Sequence, residues 1–130
     1  MNRSALMLAA ALVTAMFSTA SGTDRPADAK ILKHVVLFKF KDSATPDQVA
    51  EVVRAFKDLK NKIDVIVDFE YGTDVSTENR AQGFTHCFLA TFKDDKARDT
   101  YLVHPQHMAF GSLVGPRLDK VLVVDFWVQK

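Results

Sequence analysis

The first strongly patterned segment of the chain is LKHVVLFKFK, residues 32–41, which is rich in β-branched and aromatic residues. Such a segment is typical of a β-strand, in which successive side chains point to opposite faces. One face then carries His34, Val36, Phe38 and Phe40. The segment therefore predicts a first strand that places a histidine among apolar residues.

A helix is predicted to follow this strand. Thr45 can cap it, Pro46 suits its first position, and Gln48 completes a capping box. Apolar residues then recur at steps of three and four, which puts them on one stripe facing a sheet: Val49, Val52, Val53, Phe56, Leu59 and Ile63.

The rest of the chain predicts three more strands and two more helices, with a polar loop over residues 73–83 of a length that often carries function. In chain order these are a strand over 65–71, a strand over 84–92, a helix from Asp94 or Asp95 to Val103, a short helix over 106–114 and a strand over 121–128. This order indicates an α+β ferredoxin-like sandwich, a four-stranded antiparallel sheet with helices on one face.

The face of the sheet away from the helices is also apolar, although a monomer would expose it to water. Its predicted members are Leu37, Cys87, Leu89, Leu122, Val124, Phe126 and Val128. Two sheets packed face to face would bury this surface, so we predict a symmetric homodimer with a β-barrel at its centre.

The N-terminus has the pattern of a signal peptide, with a basic start at Arg3, an apolar run over 5–17 and small residues after it. The run is shorter than the ~20 residues that a membrane-spanning helix needs. We predict a signal peptide over 1–22, a linker over 23–30 and a domain over 31–130. The protein is then exported, periplasmic or secreted, with no membrane attachment after cleavage.

Charge and cysteine content narrow the classes of partner. Without Arg3, the 16 remaining Lys and Arg residues balance the 16 Asp and Glu residues, so nothing predicts nucleic acid as a partner. Cys87 is the only cysteine, which excludes an intrachain disulfide. A small buried hydrophobe is its simplest interpretation, and a disulfide across the dimer is the alternative.

Several motifs resemble the stress-responsive A/B barrel (Dabb) family: HVVLFKFKD from His34, GTDVS from Gly72, QGFTH from Gln82, YLVHPQH from Tyr101 and LVVDF from Leu122. The resemblance runs through residues 32–127 in order. It implies a ferredoxin-like monomer in a dimeric α+β barrel. The family includes plant stress proteins, bacterial domains of unassigned role and a plant polyketide cyclase that needs no redox cofactor.

The resemblance also suggests a site. In the cyclase, the positions matching His34, His86, Tyr101 and His107 line the cleft, and those matching Tyr101 and His107 carry the proton transfers. Histidine can exchange protons near neutral pH, and a tyrosine hydroxyl can donate a hydrogen bond to a carbonyl.

Two features weaken polyketide cyclisation as the activity. The first predicted helix presents Val52, Val53 and Phe56 where the resemblance implies bulkier aromatic residues. An exported protein would also not ordinarily meet polyketide intermediates, which are made in the cytosol.

Three functions stay open. The first is binding of a small apolar ligand, for which the expected residues are His34, Val36, Phe38, His86, Phe88 and His104. The second is a cofactor-independent lyase or cyclase with His107 as acid/base and Tyr101 as carbonyl polariser. The third is a structural, stress-protective dimer whose histidines satisfy backbone carbonyls near the helix end.

We predict no cofactor. A metal site is less well supported by the sequence than a metal-free site. His34, His86 and His107 could supply three nitrogens to zinc, but no ligand-spacing motif supports this. The resemblance implies that some relatives bind magnesium through carbonyls after helix 1, here the backbone around Lys60, Ile63 and Ile66.

Overall fold

The computed structural model describes residues 30–130. The predicted signal peptide over 1–22 and nearly all of the predicted linker lie outside these residues. In chain order the elements are β1 (Leu32–Phe40), α1 (Pro46–Lys62), β2 (Asp68–Thr73), β3 (His86–Phe92), α2 (Asp95–Val103), α3 (Pro105–Val114), a 3₁₀ turn (Gly115–Arg117) and β4 (Leu118–Trp127).

The four strands form one antiparallel sheet in the order β2-β3-β1-β4. The three helices pack on one face of this sheet, which confirms the predicted ferredoxin-like sandwich. His34 of β1 lies opposite Ala90 of β3 on one side and Asp125 of β4 on the other. This register decides which polar side chains meet.

Helix α1 begins as its sequence predicts. The Thr45 hydroxyl accepts a hydrogen bond from the Gln48 N–H, and the Gln48 side chain accepts one from the Thr45 N–H. Val52, Phe56 and Leu59 are its buried residues, so the apolar stripe faces the sheet as predicted.

Aromatic rings from the sheet and from two helices meet at the centre of the core. Phe38 of β1 and Phe88 of β3 contact Phe56 of α1, which stacks on Phe110 of α3 at 4.4 Å between ring centroids. Burial of such large apolar side chains is the main source of stability in a domain of this size. The core thereby fixes α3 over the sheet.

β3 begins at His86, two residues after its predicted start, and β2 and β4 each begin three residues from theirs. Residues 65–67 favour a strand by composition, but Ile66 donates a hydrogen bond to the Ile63 carbonyl in the turn that closes α1. β2 therefore begins at Asp68, where pairing with Thr91 starts. β4 begins earlier than predicted, because Leu118 and Lys120 already pair with β1.

The sheet face away from the helices leaves large apolar side chains in contact with solvent in the single chain. Leu122, Val124 and Phe126 of β4 are 46%, 49% and 46% exposed. They lie on the same face as Val35 and Leu37, their neighbours on β1. Cys87, on the same face of β3, is exposed rather than buried. Among the described residues, no helix has the length and apolarity to cross a membrane.

Candidate functional site

A cavity of about 320 Å³ lies between the sheet and helices α2 and α3. Most of its wall is apolar, including Val36, Phe38, Phe56, Phe110, Val114 and Val123. One part of the wall is polar and contains His34, Tyr101, His107 and Asp125. An apolar pocket with a few convergent polar groups is the usual form of a small-molecule site.

His34 and Asp125 form a short hydrogen-bonded pair on neighbouring strands. The Nδ1 of His34 lies 2.6 Å from the Oδ1 of Asp125, and His34 is 4% exposed. The other carboxylate oxygen, Oδ2, accepts a hydrogen bond from the Arg98 guanidinium at 2.9 Å. A carboxylate can only accept, so Nδ1 carries the proton and Nε2 is the ring nitrogen that remains for other partners.

Tyr101 brings a hydroxyl group into the polar part of the wall. Its residue is 1% exposed, and among residues 30–130 its hydroxyl is the one buried side-chain polar atom without a hydrogen-bond partner. Burial, with a smaller contribution from the Asp125 charge, raises the pKa of Tyr101 well above its usual value. The hydroxyl therefore stays protonated and can donate a hydrogen bond.

The ring of His107 packs against the ring of Tyr101, with 4.4 Å between the two ring centroids. Its Nδ1 lies 3.0 Å from the Leu102 carbonyl oxygen, which can only accept. In the neutral ring Nε2 is therefore the basic atom. Burial lowers the pKa of His107, which favours the neutral ring at neutral pH.

Five of the residues singled out from the sequence line this cavity: His34, Val36, Phe38, Tyr101 and His107. His86 does not, although it was expected in the same cleft. It lies opposite Phe38, four residues along the sheet from the level of His34, and lines a separate, open groove of about 540 Å³ at the start of α1. The sequence could predict that His34 and His86 lie on the same face of the sheet. Their separation along the strands depends on the pairing of β1 with β3, which the sequence pattern does not show.

The other two expected ligand residues have packing and capping positions. Phe88 is 1% exposed and lies in the aromatic core. His104 ends α2 and begins α3, where its Nδ1 accepts a hydrogen bond from the Gln106 N–H. Neither belongs to the cavity wall.

Among the residues not singled out from the sequence are Asp125 and Gly111 in the cavity wall and Arg98, which contacts Asp125 from outside the wall. A signal for Asp125 existed, because it is a charged residue in an apolar strand, on the same face as Val121 and Val123. Gly111 follows the helical spacing of His107, Phe110 and Val114, so it lies on the cavity side of α3. Arg98 gave no comparable signal.

Metal binding finds little support in the side chains. Within residues 30–130, no three His, Cys, Asp or Glu side chains are grouped to hold a metal ion, and His86 lies apart from His34 and His107. The Ile63 carbonyl already accepts a hydrogen bond from the Ile66 N–H. A magnesium site of backbone carbonyls in this turn stays a prediction.

Two plant proteins are similar to the chain over most of its domain. The stress-response A/B barrel domain-containing protein HS1 of Arabidopsis thaliana is 41% identical over 95 residues, covering 73% of this chain and 87% of HS1. Olivetolic acid cyclase of Cannabis sativa is 32% identical over 99 residues, covering 76% of this chain and 98% of the cyclase.

The fold has solved counterparts that are dimers. A dimeric ferredoxin-like protein of unknown function from Thermobifida fusca superimposes with a TM-score of 0.67 at 25% identity, over 78% of this chain and 93% of that protein. The family model of the stress responsive A/B barrel domain matches residues 32–128. By these similarities and its fold, the chain belongs to the stress-responsive A/B barrel domain family.

Proposed function

We propose that this protein binds a small, mainly apolar molecule that carries a hydrogen-bond-accepting oxygen. The observation that carries the proposal is the buried Tyr101 hydroxyl, the one such group without a partner in the described part of the chain. A buried polar group without a partner costs stability, and a bound ligand is one way to satisfy it.

The surroundings of Tyr101 specify the ligand further. The apolar wall favours a hydrocarbon body, and the volume of about 320 Å³ is near the lower end for ligand pockets. The raised pKa of Tyr101 keeps its hydroxyl a donor, so the matching ligand atom is an acceptor such as a carbonyl oxygen. Asp125 already accepts from His34 and Arg98, which reduces its attraction for a cation.

Two probes of similar shape test this proposal. Hexanophenone has a carbonyl oxygen next to its ring, and hexylbenzene lacks it. We expect both to shift the NMR signals of cavity methyl groups, such as those of Val36 and Val114, with the ketone binding more tightly. Failure of both probes to bind would contradict the proposal and favour the structural, stress-protective dimer.

Cofactor-independent proton transfer is the second candidate, favoured by the arrangement of His107. Its Nδ1 is held by the Leu102 carbonyl, which leaves Nε2 to take a proton, and its ring packs against the ring of Tyr101. The relative named olivetolic acid cyclase is 32% identical. On a bound ketone, Nε2 would remove a proton from the α-carbon while Tyr101 donates to the enolate oxygen. Return of the proton regenerates both groups.

Deuterium exchange measures this step without knowledge of the natural substrate. In D₂O, an active site of this kind replaces the α-hydrogens of hexanophenone with deuterium faster than buffer does. His107→Ala should lower the protein-dependent rate by roughly a hundredfold or more if His107 is the base. Tight ketone binding without protein-dependent exchange would rule out this second candidate for ketones and leave binding alone.

We also propose that two copies pair through the exposed sheet face. Support comes from the half-exposed Leu122, Val124 and Phe126 and from the dimeric state of ferredoxin-like relatives. An apolar surface of this kind on one side of a sheet is typical of a permanent interface.

Export remains a proposal that rests on the N-terminal sequence. The basic start, the apolar run and the small residues before Thr23 support a cleaved signal peptide. Expression of the full chain in a bacterium that secretes proteins, followed by N-terminal sequencing of the product, tests it. A mature N-terminus between Ala20 and Thr23 is expected, and an intact Met1 in the cytosolic fraction would contradict it.

A further inference from the structure

Arg98 of α2 reaches the polar part of the cavity wall indirectly. Its Nη1 donates to the Oδ2 of Asp125 at 2.9 Å, and its Nε and Nη2 contact the Oδ1 of Asp99 at 3.0 and 2.9 Å. The other carboxylate oxygen of Asp125, Oδ1, accepts the hydrogen bond from His34 Nδ1. The Asp125 carboxylate thus joins a cation on the helix to a histidine in the sheet.

We propose that Arg98 is a positioning residue for His34. By holding one oxygen of Asp125, it keeps the other directed at Nδ1 and so fixes the ring form that has hydrogen on Nδ1. His34 then offers the Nε2 lone pair to a hydroxyl donor of the ligand. This inference rests on the proposed ligand-binding function and extends it, because it assigns the ligand a donor for His34 besides the acceptor for Tyr101.

Three observations support a positioning role. Arg98 is not part of the cavity wall, whereas Asp125 and His34 are. The carboxylate oxygens are divided between the two partners, so loss of Arg98 frees the carboxylate to rotate. The side chains of Arg98 and Asp125 are each 24% exposed, and ion pairs with this much solvent access contribute little to stability. An effect on His34 is therefore separable from an effect on folding.

The tautomer of His34 is the direct readout. Long-range ¹H–¹⁵N spectra of the protein labelled at histidine distinguish hydrogen on Nδ1 from hydrogen on Nε2, and they need no ligand. We expect the Nδ1–H form in the wild type, a mixture in Arg98→Gln and partial rescue in Arg98→Lys, whose ammonium still donates to Asp125. Lys62→Gln removes the exposed ion pair with Asp58 on α1 and should leave the tautomer unchanged.

Ligand binding supplies the second readout. The alcohol 1-phenylhexan-1-ol can donate to His34 Nε2, whereas hexanophenone cannot. Arg98→Gln should weaken binding of the alcohol roughly threefold to tenfold, which corresponds to the loss of one hydrogen bond. It should change the affinity for the ketone less than about twofold. An unchanged tautomer, or equal effects on the two probes, would overturn the positioning role. If neither probe binds the wild type, the proposed function fails, and the tautomer spectra still decide whether Arg98 positions His34.

Discussion

At the scale of one residue, Tyr101 combines close ring packing with an unsatisfied polar atom. Its ring packs against Phe92 and His107, while its buried hydroxyl makes no hydrogen bond in the described structure. A purely structural role would be met better by phenylalanine, which has the same shape without the polar atom. The hydroxyl is therefore the strongest local sign of a ligand.

The first prediction follows from this comparison. Tyr101→Phe should raise the free energy of unfolding of the ligand-free protein by about 1 kcal/mol, because it removes an unsatisfied buried polar group. Urea unfolding measures this value. Tyr71→Phe is the matched control, since Tyr71 is 48% exposed and its hydroxyl is accessible to water, and it should change stability little. A clear loss of stability in Tyr101→Phe would show that the hydroxyl has a structural partner.

The second prediction concerns pH. Burial lowers the pKa of His107 and of His86 below the usual histidine value of about 6.5. The unfolded chain then binds protons more readily than the folded protein below about pH 6.5. The free energy of unfolding should therefore be independent of these groups above that pH and fall as the pH decreases through their folded-state pKa values.

The variant His107→Asn isolates the contribution of His107 to this loss of stability at low pH. The asparagine amide can still donate to the Leu102 carbonyl, but it does not titrate. Urea unfolding at pH 7 and pH 5 should show a smaller acid loss in His107→Asn than in the wild type. His86→Asn should in the same way remove the contribution of His86, which lines the separate groove. Equal acid losses in the wild type and His107→Asn would contradict the lowered pKa of His107.

At the scale of elements, helix α3 determines how deep the cavity is. His107, Phe110, Gly111 and Val114 share one helical face, and a Cβ added at Gly111 would meet no atom within 4 Å. A glycine inside a helix is less favourable than alanine by roughly 0.5–1 kcal/mol. The cavity is therefore maintained at some cost in helix stability.

The third prediction uses this glycine. Gly111→Leu should fill the cavity, abolish hexanophenone binding and still raise stability, because leucine favours the helix and buries apolar surface. Gly111→Ala is the matched control, with a similar gain in helix propensity and only one added methyl group. Calorimetric titration and urea unfolding measure the two effects. Unimpaired ketone binding in Gly111→Leu would place the ligand elsewhere.

The elements also show what sequence reasoning could reach. Alternation placed His34, Val36 and Phe38 on the helix-facing side of β1, and capping signals placed the start of α1. Neither alternation nor capping predicts the register in which two strands pair. The pairing of His34 with Asp125, and the displacement of His86 to the level of Phe38, arise from long-range pairing that no local pattern encodes. The same reason hid Arg98, which meets Asp125 only in the folded chain.

For the whole molecule, the proposed dimer interface and the candidate site lie on opposite faces of one sheet. Val35, Leu37 and Val124 lie on the outer face, whereas His34, Val36 and Asp125 lie on the helix side. Pairing through the outer face can therefore leave the cavity wall intact. This separation allows a change to the interface to be read independently of ligand binding.

The fourth prediction tests the proposed dimer. Val124→Glu should shift the protein from dimer to monomer in size-exclusion chromatography with light scattering, because it introduces charge into an apolar interface. Val75→Glu is the control, since Val75 is 89% exposed in the polar loop and should not affect assembly. A wild type that is already monomeric at micromolar concentration would contradict the proposed interface.

Calorimetric titration of hexanophenone and hexylbenzene into wild type and Tyr101→Phe tests the proposed site most directly. The wild type should bind the ketone more tightly than the hydrocarbon by roughly threefold to tenfold, and Tyr101→Phe should lose this preference while still binding the hydrocarbon. An equal preference for the ketone in both proteins, or no binding of either probe, would contradict a ligand site at the Tyr101 hydroxyl.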